Sequence, residues 1–109
     1  MVKCLEPQLD RLFGALGEPV RRAVVRDLAL GEKSLSELAE PFDITLPGMM
    51  KHVAILEEAG LVMTEKRGRT RFCRLEPEAL SHAQRWIEET TSFWTKRLEA
   101  LATYLEEEN

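Results

Sequence analysis

Apolar residues in the first third of the chain recur at the three- and four-residue spacing of amphipathic helices. The first series consists of Leu9, Leu12, Phe13 and Leu16. It predicts a short helix that ends before Gly17. Pro19 is suited to begin a second helix, because the N–H that proline lacks would have no helical partner there. Gly31 follows the apolar series of this second helix and is placed to cap its C-terminus.

The next segment carries the start and stop signals of two helices joined by a short turn. Ser34 and Glu37 fit a capping box, in which the hydroxyl and the carboxylate accept hydrogen bonds from exposed backbone N–H groups. Pro41 keeps that helix short. Thr45 is placed to cap a second helix that ends at Gly60. Its predicted inner face consists of Met49, Val53, Ile55, Leu56 and Ala59. Such a pair predicts a helix-turn-helix.

Two strand-like runs, residues 61–66 and 70–75, follow directly. Between them Gly68 supplies the positive φ that a tight hairpin turn needs. Strand alternation places Arg71 and Cys73 on one face and Phe72 on the other. We expect Phe72 to face the core, which would leave Arg71 and the turn residue Arg69 exposed. A hairpin directly after a helix-turn-helix is typical of a wing.

The last segment, residues 77–105, has the pattern of one long helix. At about 1.5 Å per residue it reaches about 43 Å, whereas the preceding body is only ~30 Å across. One apolar stripe consists of Ile87, Trp94, Leu98, Leu101 and Leu105. A second stripe consists of Trp86, Phe93, Ala100 and Tyr104. Because both stripes continue beyond the reach of the body, a partner helix is the simplest cover for them. The alternative is one stripe buried wholly within the monomer.

Size and composition are those of one globular domain. The chain has 109 residues, 44% hydrophobic and 31% charged. The pattern predicts a mainly α fold with a small β-hairpin wing: a single winged helix-turn-helix domain over 1–109, with a DNA-binding body at 9–76 and a long C-terminal dimerisation helix at 77–105. No apolar run is long enough for a membrane span and no signal peptide is recognisable, so we expect a cytoplasmic protein.

The charge distribution allows nucleic-acid binding despite a net charge of −4. The segment 65–74, EKRGRTRFCR, holds five basic residues against the single acidic Glu65. A local basic patch can contact phosphate while the rest of the surface is acidic. The acidic overall charge therefore does not exclude DNA as a partner.

With these segments in order, the sequence resembles the ArsR/SmtB family of bacterial winged-helix repressors. The resemblance covers residues 9–105 and rests most strongly on KHVAILEEAGLV, the wing EKRGRTRFCRLEP and the helix segment RWIEETTSFWTKRLEAL. It implies a homodimer formed largely by the first and last helices, with a recognition helix and a wing on each subunit. It also implies transcription regulation by binding double-stranded DNA.

The sequence departs from the metal-sensing members of that family. Their paired cysteines before the recognition helix have no counterpart in SELAEPFD. The last helix holds His82 alone, without the paired-histidine spacing of their other site. We therefore predict no metal site and no cofactor. A second departure is Met50, where relatives commonly have a small hydroxyl residue; together with Gly48 it prevents any transfer of a DNA sequence preference.

The candidate DNA-binding residues lie in the recognition helix and the wing. They are Thr45, Pro47, Gly48, Met50, Lys51, His52, Arg67, Arg69 and Arg71. Thr45 and Lys51 can donate to phosphate or guanine, and Met50 can contact a thymine methyl group. Two interpretations of His52 stay open, a phosphate contact or a histidine packed between helices. Gly48 either allows close approach of the backbone to DNA or is simply tolerated at a helix start.

The candidate dimer interface combines both ends of the chain. Its predicted residues are Leu9, Leu12, Phe13, Trp86, Phe93, Trp94, Leu98, Leu101 and Leu105. The leading function is a repressor that binds a palindromic operator as a homodimer. The alternative is a protein-interaction module that kept the fold but lost DNA binding. No pair of nucleophile and base is visible, so no enzyme is predicted.

The signal to which such a regulator would respond is not identified by its residues. A small-molecule inducer of unknown identity and a redox change both stay open. For the redox hypothesis, Cys73 sits among basic wing residues whose positive charge would lower its thiol pKa. The alternative is a small strand residue that fills a gap, and Cys4 is the only other cysteine.

Overall fold

The computed structural model describes residues 7–108; Cys4 lies outside them. The elements, in chain order, are α1 Pro7–Leu16, α2 Pro19–Leu28, β1 Lys33–Ser34, α3 Leu35–Ala39, a 3-10 turn Glu40–Phe42, α4 Leu46–Glu58, β2 Val62–Arg67, β3 Thr70–Leu75 and α5 Pro77–Glu107. The predicted helices and the hairpin are confirmed. Strand β1 was not predicted, because two residues are too short to show a period; it pairs antiparallel with β3 to give the sheet order β1-β3-β2.

Hydrogen bonds confirm the predicted capping box of α3 and the glycine cap of α4, whereas α2 ends at Leu28 with Ala29 as its C-cap, two residues before the predicted Gly31. The Ser34 hydroxyl accepts from the Glu37 N–H at 3.2 Å, and the Glu37 carboxylate accepts from the Ser34 N–H at 2.8 Å. At the end of α4, Gly60 has φ 78°. Its N–H donates to the Glu57 carbonyl, and the Leu61 N–H donates to the Leu56 carbonyl. This Schellman arrangement turns the chain directly from α4 into the hairpin.

The core lies between α1–α4 and the base of the hairpin. Its largest fully buried side chains are Leu12, Val24, Leu38, Met49, Val53, Leu56, Leu61, Val62 and Cys73. The predicted inner face of α4 is confirmed except at Ile55, which is 41% exposed. At about 100° per residue, Ile55 falls on the flank of the helix, outside the arc that holds Met49, Val53 and Leu56.

The register of the hairpin corrects the predicted orientation of Phe72 and Arg71. Thr64 pairs with Cys73 and Lys66 with Arg71, so these four side chains share one face of the sheet. That face meets the core at Cys73, which is completely buried, whereas Phe72 on the opposite face is only half-buried. Arg71 shares the face of Cys73 and is half-buried, so it is less exposed than predicted. Phe72 is therefore not the core residue of β3. A strand with one small and one aromatic apolar residue on opposite faces does not reveal which face is covered.

Helix α5 leaves the body after its first turns. The molecule measures 70 × 28 × 20 Å and has a radius of gyration of 19.1 Å, whereas a compact chain of this length would have about 13 Å. Ala83 is the one buried residue among the described positions of α5. Trp86 meets Phe13 of α1 edge-on, with ring centroids 5.5 Å apart. No helix within residues 7–108 combines the length and apolarity that crossing a membrane requires.

Candidate nucleic-acid interface

Helix α4 is fixed on its inner side and open on its outer side. Met49, Val53 and Leu56 are fully buried against the body. The predicted residues Thr45, Pro47 and Lys51 are exposed, and Met50 is half-buried against the core. Since recognition helices contact base edges with their N-terminal side chains, the first turns of α4 are available for that role.

The same outer side carries two exposed residues that sequence analysis missed. Leu46 is 47% exposed, and Ala54 is exposed one turn beyond Met50. The predicted set passed over Leu46 between Thr45 and Pro47, and it ended at His52, before Ala54. Helical spacing from Pro47 to Lys51 and on to Ala54 would have found the second of them.

Gly48 has an intramolecular explanation. Its N–H donates to the Thr45 hydroxyl at 3.2 Å, which is the N-terminal cap of α4. A Cβ at this position would lie 2.9 Å from Cγ2 of Ile44 and 3.2 Å from Oγ1 of Thr45. A Cβ would force Ile44 or Thr45 to shift, so the close packing of the turn before α4 favours glycine. Neither interpretation made from the sequence identified this contact, because it depends on the path of the turn.

His52 faces α2 and does not lie on the outer side of α4. Its Nδ1 is 3.2 Å from a terminal guanidinium nitrogen of Arg21 and 3.8 Å from Oε1 of Glu18. Arg21 also donates through Nε to the Ala15 carbonyl at 2.7 Å, near the end of α1. Since guanidinium is only a donor, Nδ1 is the acceptor in this contact. The geometry favours the packed-histidine interpretation.

The wing presents basic side chains on the face that adjoins α4. Gly68 adopts φ 64° at the turn, and the neighbouring Arg69 is exposed. Arg71 donates to the Thr64 hydroxyl at 2.9 Å, and that hydroxyl donates to the Glu57 carboxylate of α4 at 3.1 Å. This chain of hydrogen bonds ties the wing to the recognition helix. Lys66, opposite Arg71 in the register, is exposed on the same face and was not among the predicted residues.

Arg67 lies on the other face of the hairpin, apart from Lys66 and Arg71. Its guanidinium makes a two-pronged ion pair with Glu32 at 2.8 and 2.7 Å and also pairs with Glu65. It stacks over the Phe72 ring, 4.7 Å from the centroid. The hydrogen bonds that Arg67 donates to Glu32, and then those to Glu65, raise the Arg67 pKa. The Glu32 and Glu65 carboxylates therefore compete with DNA phosphate for Arg67, a residue predicted to bind DNA.

The thiol of Cys73 lacks the environment of a redox sensor. Burial raises its pKa to about 11, and the opposing effect of the Arg71 charge is smaller. The redox hypothesis assumed that nearby arginines would dominate, and this was wrong, because loss of hydration disfavours the thiolate more than one partly screened charge favours it. Within residues 7–108, no three His, Cys, Asp or Glu side chains cluster closely enough to hold a metal ion.

The predicted dimer residues divide into core and surface. Leu12 is only 2% exposed and belongs to the core of the monomer, so its assignment to the interface is corrected. Leu9 is half-buried, and Phe13 is 37% exposed beside Trp86. The predicted α5 residues, from 45 to 60% exposed, are Trp86, Phe93, Trp94, Leu98, Leu101 and Leu105.

A helix pair with an open second helix, followed at once by a basic hairpin, defines the winged helix-turn-helix class of protein. A family model described as a helix-turn-helix domain matches residues 16–65. The HTH-type transcriptional regulator Rv2034 of Mycobacterium tuberculosis is 31% identical over 99 residues, which cover 91% of this chain and 90% of that protein. The arsenical resistance operon repressor of Escherichia coli is 29% identical over 100 residues, 91% of this chain and 86% of the repressor.

Comparison with solved structures also finds transcriptional regulators. The ArsR family transcriptional regulator RHA00566 is 41% identical, with a TM-score of 0.80 over 87% of this chain and 97% of its own. The chain therefore belongs to the ArsR/SmtB family of winged helix-turn-helix transcriptional regulators.

Proposed function

We propose that this protein is a repressor that binds a palindromic operator as a homodimer, with α4 in the major groove and the wing along the backbone. The observation that carries the proposal is the hydrogen-bond chain from Arg71 through Thr64 to Glu57, which holds the basic face of the wing beside the recognition helix. Lys51, Lys66 and Arg69 add exposed positive charge on these elements. Such charge attracts phosphate, while the exposed start of α4 can reach base edges.

The dimer is proposed from the exposed side chains of α5. Trp94, Leu98 and Leu101 are 58, 60 and 53% exposed and recur at the spacing of a helix-packing seam. An apolar surface of this extent on a charged helix favours a second copy of α5, with Phe13 and Trp86 at the edge of the contact. A two-fold dimer would place two recognition helices on half-sites about 34 Å apart, which corresponds to a palindromic operator.

DNA binding is tested by fluorescence anisotropy with duplex DNA from upstream of the protein's own gene and with an unrelated duplex. The titrations are run at several salt concentrations. We expect selective binding that weakens with salt. Arg69→Ala should reduce the salt slope by about one unit per subunit, since one phosphate contact is lost.

Arg74→Ala is the matched control for this charge loss. Arg74 is exposed but lies at the base of the hairpin, away from the turn, and on the other face, where it contacts Met63 and Glu76. The Arg74→Ala substitution should therefore leave the salt slope unchanged. Failure of a folded dimer to bind either duplex at low salt would contradict operator binding at this region and would support the protein-interaction alternative.

The dimer is tested independently by sedimentation of Leu98→Asp. A charge at the centre of the α5 seam should convert the protein to a monomer and weaken DNA binding. Thr103→Asp introduces the same charge on the opposite side of α5 and should leave the dimer intact. A dimeric Leu98→Asp protein would place the subunit contact elsewhere.

A further inference from the structure

The outer side of α4 is unusually poor in polar groups for a helix that reads DNA. Successive positions at about 100° place Leu46, Pro47, Met50, Lys51 and Ala54 on the side away from His52 and α2. All are exposed except Met50, which is half-buried. The structure thus presents four apolar side chains and one lysine where base edges would lie.

The side chains that identify bases by paired hydrogen bonds are nearly absent from the first three turns of this helix, since its exposed glutamates, Glu57 and Glu58, stand in the last turn and Glu57 already accepts from Thr64. Residues 45–56 contain no Arg, Asn, Gln, Asp or Glu. Arginine and lysine distinguish guanine, Asn and Gln adenine, and Asp and Glu cytosine, so only Lys51 can act in this way. His52 is directed to Arg21. The Thr45 hydroxyl already accepts the Gly48 N–H, although it can still donate one hydrogen bond.

We infer that this protein recognises its operator mainly through the methyl groups of thymines in the major groove, contacted by Leu46, Met50 and Ala54. The inference rests on the proposed DNA-binding function. Thymine is the base that presents an apolar group in the major groove. The exposed Lys51 on this side, with Lys66 and Arg69 of the wing, supplies phosphate attraction, so the apolar surface fits DNA better than an apolar protein partner.

The expected effect per base follows from burial of one methyl group. Removing a buried methyl weakens binding about fourfold. Replacing thymine by deoxyuridine removes only that methyl and keeps every hydrogen-bonding group of the base. A duplex is first selected from a library with a random central segment, and it is then remade with deoxyuridine at one thymine at a time. We expect a loss of about fourfold at particular half-site thymines and little loss at thymines outside the half-sites.

A pair of protein variants assigns the effect to the helix. Leu46→Ser removes an exposed apolar side chain from the first turn and should abolish the deoxyuridine loss at the thymine it contacts. Ile55→Ser makes a comparable change at a similarly exposed residue, but on the flank that holds His52 and in the C-terminal half of α4. It should leave all deoxyuridine losses unchanged.

Two results would overturn the inference, and they have different consequences for the proposed DNA-binding function. If the selected duplex binds equally well with deoxyuridine at every position, recognition by methyl groups is wrong while operator binding holds. If selection yields no duplex above background for a folded dimer at low salt, both the inference and the proposed function fail, and the apolar side of α4 becomes a protein-docking surface.

Discussion

Substitution of Gly48 by alanine separates the packing role of this glycine from a role in DNA approach. The added Cβ would lie 2.9 Å from Cγ2 of Ile44, well inside ordinary contact. Overpacking of this kind costs about 1–3 kcal/mol. Alanine regains up to about 1 kcal/mol through its higher helix propensity. We therefore expect Gly48→Ala to lower the free energy of unfolding by about 0–3 kcal/mol.

The contact with Ile44 makes this prediction testable by a double-mutant cycle. Ile44→Ala removes Cγ2, so adding Gly48→Ala in that background should stabilise the protein by up to about 1 kcal/mol. The coupling between the two positions should then be about 1–3 kcal/mol. The assay is urea denaturation at one fixed protein concentration, because the stability of a dimer depends on concentration.

DNA affinity provides the second half of the test. If Gly48 serves only the turn, folded Gly48→Ala protein should bind the operator as tightly as the unsubstituted protein. A stabilising Gly48→Ala whose effect adds to that of Ile44→Ala would refute the packing explanation. Loss of DNA affinity without loss of stability would show instead that the backbone at this glycine approaches the DNA.

Three further predictions concern the caps, the thiol and the wing. Ser34→Ala should lower the free energy of unfolding by about 1 kcal/mol at neutral pH, measured by urea denaturation. Hydrogen bonds from the Ser34 backbone N–H and then from its side chain lower the Glu37 pKa from 4.5. The stabilisation that the Glu37 carboxylate gives to the capping box is therefore present above that pH and is lost as the pH falls below it. Cys73, whose pKa is raised from 9.0 to about 11, should have an about hundredfold lower thiolate fraction near pH 8 than in the unfolded chain, and mass spectrometry should show slow alkylation. Glu32→Gln should raise DNA affinity in anisotropy titrations, since Arg67 loses the two-pronged ion pair with Glu32 and keeps only the Glu65 carboxylate.

Each of these predictions has a clear opposing result. A Glu37→Gln protein that loses stability on acidification as much as the unsubstituted protein would separate the Glu37 carboxylate from the capping box. Rapid alkylation of Cys73 in the native protein would contradict its burial. Glu106→Gln removes the same charge near the far end of α5, so an equal gain in affinity from both variants would point to net charge and away from Arg67.

Local signals in the sequence determined the elements and the class of protein. Each signal depends on residues within a few positions of one another: the Ser34–Glu37 capping box, Thr45 before α4, Gly60 after it and Gly68 in the hairpin. Such short-range hydrogen bonds and backbone preferences are local physics, so they were predictable. The long apolar repeat of α5 was predictable for the same reason, and its excess length over the body already indicated a partner.

Which side chains remain available to a partner depends on how the elements pack together. Leu12 was predicted at the dimer contact but lies in the core, and Arg67 was grouped with Arg71 but pairs with Glu32, which lies 35 residues away in sequence. The identity of the covered face of β3, the packing around Gly48 and the high pKa of Cys73 likewise depend on how distant segments meet. Hydrophobic periodicity gives the faces of an element, but burial and ion pairing arise only when those elements pack together.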